Sequence, residues 1–80
     1  MKPYIINEFV NGKHKDVIPV DESELAEMIH TIRNHLDKNQ IAGLINMLSG
    51  KTLAWEYNYT DNCMRQNRLV ICNPNYEVNK

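Results

Sequence analysis

Two helix-start signals sixteen residues apart constrain this chain more than anything else in it. Asp21 is followed three residues on by Glu24, and Asp37 by Gln40. An acidic residue that caps free backbone N–H groups, with a Glu or Gln three positions later reaching back, is a capping box. Val20 with Leu25, and Leu36 with Ile41, have the spacing of the hydrophobic staple that accompanies such a start. Between the signals, Leu25, Met28, Ile29, Ile32 and Leu36 recur at three-and-four spacing on one helix face. That face lapses at Asn39, Gln40 and Gly43, and a second begins with Ile41, Leu44, Ile45 and Leu48. The stretch 21–50 is therefore expected to hold two helices, about Glu22–Leu36 and Lys38–Ser49. Gly50 should end the second in the left-handed conformation, and Gly43 should permit close approach of another backbone.

The flanks read as strands. Tyr4 to Val10 and Lys13 to Val20 surround Asn11-Gly12, the preferred pair for a two-residue type I′ turn because both positions take positive φ. A regular hairpin on that turn would set Glu8 opposite Lys15, Ile6 opposite Val17 and Ile5 opposite Ile18. Pro19 cannot donate to a ladder and belongs at an edge or a strand end. After the helices, Leu53, Trp55, Tyr57 and Tyr59 alternate with smaller or polar residues over Thr52 to Thr60, the period of a strand. A polar loop, 61–67, leads to a short apolar strand, Arg68 to Cys72, which Asn73-Pro74 stops.

The expected fold is thus α+β in the order ββααββ: a small antiparallel four-stranded sheet with a helical layer on one face. One domain should span 1–80, with a hairpin over 1–20, two helices over 21–50, a hairpin over 51–74 and a tail over 75–80.

One helical layer covers one face of a sheet, yet three of the four strands carry large apolar residues on both sides. The uncovered face is expected to expose Ile5, Ile18, Leu69 and Ile71, or their alternates Ile6, Val17 and Val70. A contiguous apolar patch on a small protein marks an interface. The reading is a non-enzymatic protein-binding or regulatory module, a homodimer or the modulator of a larger partner. Its size suits an accessory factor or inhibitor of the kind phages and mobile elements encode. A tail laid across the sheet through Tyr76 and Val78 is the competing, purely structural account.

A second expectation is a nucleic-acid-binding regulator. Lys51, Arg65 and Arg68 surround Trp55, Tyr57 and Tyr59, and aromatics framed by cations hold single strands by stacking. The formal net charge of −1 and pI near 6.3 oppose a strong non-specific grip on phosphate. A third is a small enzyme with Cys63, near Arg65, as nucleophile. No triad, phosphate loop or cofactor motif supports catalysis, and none of His14, His30, His35, Cys63 and Cys72 has the spacing of a metal site. The two cysteines, with neither a leader nor a membrane-length apolar run, are expected as free thiols in the cytoplasm.

Overall fold

The computed structural model of the protein describes residues 4–73. Strands β1 (Tyr4–Val10) and β2 (Lys13–Val20) precede helix α1 (Glu22–Ile32), a 3₁₀ turn (Arg33–His35) and helix α2 (Lys38–Leu48). Strands β3 (Ala54–Thr60) and β4 (Gln66–Cys72) complete the order. The class is α+β, with two helices and one four-stranded sheet of order β2-β1-β4-β3, antiparallel at every pairing.

Both helices start as their sequence dictates. Asp21 Oδ1 accepts the Glu24 N–H at 2.8 Å while Glu24 Oε1 accepts the Asp21 N–H at 3.0 Å. Asp37 and Gln40 repeat the arrangement at 2.8 and 3.0 Å. The first staple closes in the core, where Val20 and Leu25 are both buried. Helix α1 ends at Ile32, one turn short of Leu36. Residues 33–35 bring no apolar anchor, and Leu36 must leave the helix so that Asp37 adopts the extended backbone of a cap. Gly50 has φ +80° and closes α2 through its N–H to Met47 O at 3.1 Å.

The first hairpin corrects the expected register. Asn11 and Gly12 take φ +51° and +82°, as a type I′ turn requires. Val10 pairs with Lys13 and Phe9 with His14, but the next pair is Glu8 with Asp16. Lys15 is an extra residue in β2, a β-bulge that slides the rest of the strand by one position. Ile6 therefore faces Ile18, and Ile5 faces Pro19. Because a strand alternates sides, this one-residue slip exchanges which β2 residues point at the helices.

The sheet face beneath the helices carries Tyr4, Ile6, Val20, Ile71, Trp55 and Tyr57, all buried, with Leu25, Leu44 and Met47 above them. Trp55 Nε1–H donates to Gln40 O of α2 at 3.0 Å. A Cβ on Gly43 would lie 3.3 Å from Trp55 Cδ1. The glycine makes room for an indole rather than for a backbone. Strand β3 starts at Ala54, two residues later than expected. The Lys51 and Thr52 N–H groups donate to Asn46 O, which holds that segment against the end of α2 and leaves Leu53 exposed. Asn73, fully buried, joins the layers: its Nδ2 donates to Met47 O at 2.6 Å and its N–H to Leu53 O at 2.8 Å.

Candidate protein interface on the open sheet face

The register places Pro19, Ile5, Cys72 and Ala54 in one row across the face away from the helices, one residue from each strand. The next row is Val17, Asn7, Val70 and Glu56, and the third is His14, Phe9, Arg68 and Asn58. Two halves of unlike character result.

The polar half is closed on itself. Arg68 Cζ sits 4.4 Å from the centroid of the Phe9 ring, a cation–π contact, and Arg68 Nη1 lies 3.9 Å from Glu56 Oε2. Asn58 Nδ2 donates to Glu56 Oε1 at 3.1 Å. His14 meets the Phe9 ring edge-on at 5.2 Å, and its Nε2 lies 3.2 Å from Asn7 Oδ1. The apolar half has no such cover. Ile5 is 40% exposed and Val17 49%; Pro19 and Ala54 are exposed, and Val70 and Cys72 half-buried. Among the described residues no helix lies on this face. Tyr76 and Val78, the residues expected to shelter it if the tail folds back, lie outside the described residues.

The four residues expected to form one patch are not on one surface. Ile5 is on the open face. Ile18, Leu69 and Ile71 point to the helix side, where Ile71 is fully buried, Leu69 half-buried and Ile18 exposed at the sheet edge. The bulge at Lys15 separates Ile5 from Ile18. Of the alternates, Val17 and Val70 share the open face with Ile5, and Ile6 is core. Pro19, Ala54 and Cys72 complete the patch. Sequence reasoning missed them because they join it only through strand order and the slipped register.

A second apolar strip lies on the helical layer. Of the face read over α2 only Leu44 is buried, joined by Met47; Ile41, Ile45 and Leu48 are 42%, 58% and 40% exposed. Leu48 and Ile29 line a shallow groove of about 300 Å³ between the helices, floored by Tyr4.

The residues of the nucleic-acid reading are divided by the sheet. Trp55 and Tyr57 are buried under the helical layer, stacked at 6.0 Å, and Tyr59 continues the stack at 5.6 Å toward the rim. Burial and the nearby carboxylates of Glu8 and Asp61 raise the Tyr59 phenol above its usual range. Arg68 lies on the opposite face over Phe9. Lys51 is exposed in the segment after α2, and Arg65 is tied to Asp61 by a 2.8 Å ion pair. A depression of about 410 Å³ at the turn end is lined by Phe9, Tyr59 and Arg68.

Cys63 is exposed in the β3–β4 loop, where its N–H donates to Asp61 Oδ1 at 2.9 Å. His14 lies on β2, His30 on α1 and His35 in the 3₁₀ turn. Among the described residues no three His, Cys, Asp or Glu side chains gather as a metal site would require, and no helix is long and apolar enough to cross a membrane.

Asp61 organises the β3–β4 loop. Its carboxylate accepts from Asn67 Nδ2 at 2.9 Å, from the Arg65 and Cys63 backbone N–H groups, and from Arg65 Nε. These donors, Asn67 foremost, hold its pKa down to about 2 from an ordinary 3.8. A depressed carboxylate stabilises the fold fully above its unfolded value, and that contribution disappears as pH falls through the folded one. Thermal melts of wild type and Asp61→Asn should differ most above about 3.8 and converge toward about 2. A gap that does not change with pH would show that the ionised carboxylate contributes nothing.

No protein-family model matches the chain, and no curated protein or solved structure shows significant similarity to it.

Proposed function

We propose that this chain is a small non-enzymatic protein-binding module that regulates a larger protein docked on its open sheet face. The observation that carries the reading is the apolar half of that face. Ile5, Val17, Pro19, Val70, Cys72 and Ala54 adjoin across all four strands, and among the described residues no helix lies over them. Protein interfaces have this anatomy, an apolar centre with a polar border. Here the Phe9–Arg68–Glu56 network supplies the border, already satisfied internally and therefore cheap to bring against a partner. Burying exposed aliphatic side chains supplies roughly 25 cal/mol for each Å² removed from water.

The tagged chain, used to capture partners from its host extract, tests this directly. Wild type and Ile45→Asp, which alters the helical strip, are expected to retain the same specific partner; Val17→Asp, with an unchanged circular dichroism spectrum, is expected to lose it. Capture that survives Val17→Asp and fails with Ile45→Asp would move the function to the helices.

A further inference from the structure

The two edges of the sheet differ in kind. An edge strand offers unpaired N–H and C=O groups to any strand that approaches, and natural proteins blunt such edges with Pro, Lys, bulges or a covering element. Strand β2 has three of these devices: Pro19, the lysines Lys13 and Lys15, and the bulge at Lys15. Strand β3 has none. It runs Ala-Trp-Glu-Tyr-Asn-Tyr-Thr through residues 54–60, without proline, lysine, glycine or a register shift.

The ladder identifies which backbone groups are open. The Asn73 N–H donates to Leu53 O and the Asp61 N–H to Arg65 O, so positions 53 and 61 bond to the β4 side. Antiparallel pairing alternates, so 55, 57 and 59 do the same while Ala54, Glu56, Asn58 and Thr60 turn their backbone groups outward. All four are exposed, and among the described residues no hydrogen bond reaches those groups.

We propose that two copies of the chain join edge to edge through β3, running antiparallel about a two-fold axis at Tyr57. The occupant follows from the sequence of the strand itself. In this register Ala54 faces Thr60 of the second copy and Glu56 faces Asn58, so every outward backbone group finds a partner and no like charges meet. Asn58 already donates to a Glu56 carboxylate within one chain, and the same pair of side chains recurs across the axis. On the helix side Trp55 faces Tyr59 and Tyr57 faces itself, which extends the existing aromatic stack through the interface. Shifting the axis to Glu56 would oppose two carboxylates; shifting it to Asn58 would leave Ala54 without a strand partner. An axis perpendicular to the sheet keeps both helical layers on one side and merges the open faces into one eight-stranded surface. The inference is independent of what docks on the open face, because it uses the strand edge.

Sedimentation equilibrium on the full chain tests it. Wild type is expected to be a dimer. Asn58→Pro removes an outward N–H without touching the β4 ladder, so it should sediment as a monomer with native circular dichroism. Asn58→Glu would place two Glu–Glu contacts across the axis and weaken the dimer about tenfold. Adding Glu56→Lys converts both contacts to Lys–Glu and should restore the dimer. A wild type that sediments as a monomer at every concentration, a dimer that survives Asn58→Pro, or a loss with Asn58→Glu that Glu56→Lys does not reverse would each overturn the proposal.

Discussion

Trp55→Ala is expected to destabilise the protein by about 3–5 kcal/mol, a large share of the roughly 4–12 kcal/mol that a chain of this size holds. The indole is 6% exposed, flanked by Ile71 and Tyr57 and roofed by α2. Its removal leaves a cavity that Gly43, which lies against the ring, has no side chain to fill. It also strips Gln40 O of the Nε1–H that binds it, so the cost exceeds that of apolar transfer alone. Trp55→Phe keeps most of the packing, loses that hydrogen bond and should cost distinctly less. Urea denaturation followed by circular dichroism gives both values. A loss under about 1 kcal/mol for Trp55→Ala would mean that the ring does not hold the layers together, and the stacking role for nucleic acid would regain force.

The second large effect separates core from surface among residues that look alike in sequence. Ile71→Ala should cost about 2–5 kcal/mol, because Ile71 is fully buried between Ile6 and Trp55 at the centre of the sheet. Val17→Asp, on the open face of an edge strand, should change stability by no more than about 0.5 kcal/mol. Strand composition alone places the two in alternative sets, Ile71 with Ile5, Ile18 and Leu69 and Val17 with Ile6 and Val70, without saying which set is covered. If Ile71→Ala proved neutral and Val17→Asp severe under denaturant, the assignment of faces would be reversed.

What the chain announces locally is what the structure delivers. Asp21 with Glu24, and Asp37 with Gln40, act on backbone groups within one turn, so their chemistry is complete in a four-residue window. The same holds for Asn11-Gly12, whose positive φ values follow from the residue types alone. The α+β class followed from these starts and the strand-like flanks. The face assignment depended on information that no window contains. Lys15 has nothing in its chemistry that marks it as a bulge, yet that one extra residue sends Ile18 inward and Val17 outward. The open-face patch depends on the order β2-β1-β4-β3 as well, which sets Cys72 beside Ile5 and Ala54 beside Cys72. The shift on α2 has a similar origin. Ile41, Leu44, Ile45 and Leu48 fit a core stripe by periodicity; of these only Leu44 is buried, joined by Met47, on the side of α2 where Gly43 lies against Trp55. Asp61 and Asn73 looked like loop punctuation. Asn73 acts through an acceptor 26 residues away, Met47 O, whereas the donors to Asp61 are local and depend on how the loop to Asn67 closes.

Strand β4 is the last strand among the described residues and lies between β1 and β3, bonded to both. Its opening residue locks to the far hairpin: Asn11 N–H donates to Gln66 O at 2.8 Å and the Gln66 N–H returns to Asn11 Oδ1 at 3.0 Å, across a separation of 55 residues. During synthesis on the ribosome, the β1–β2 hairpin and both helices therefore emerge before the strip that joins them to β3. Until residues 66–72 clear the exit tunnel, Ile6 and Trp55 have no Ile71 between them, and the nascent chain travels with its central seam open.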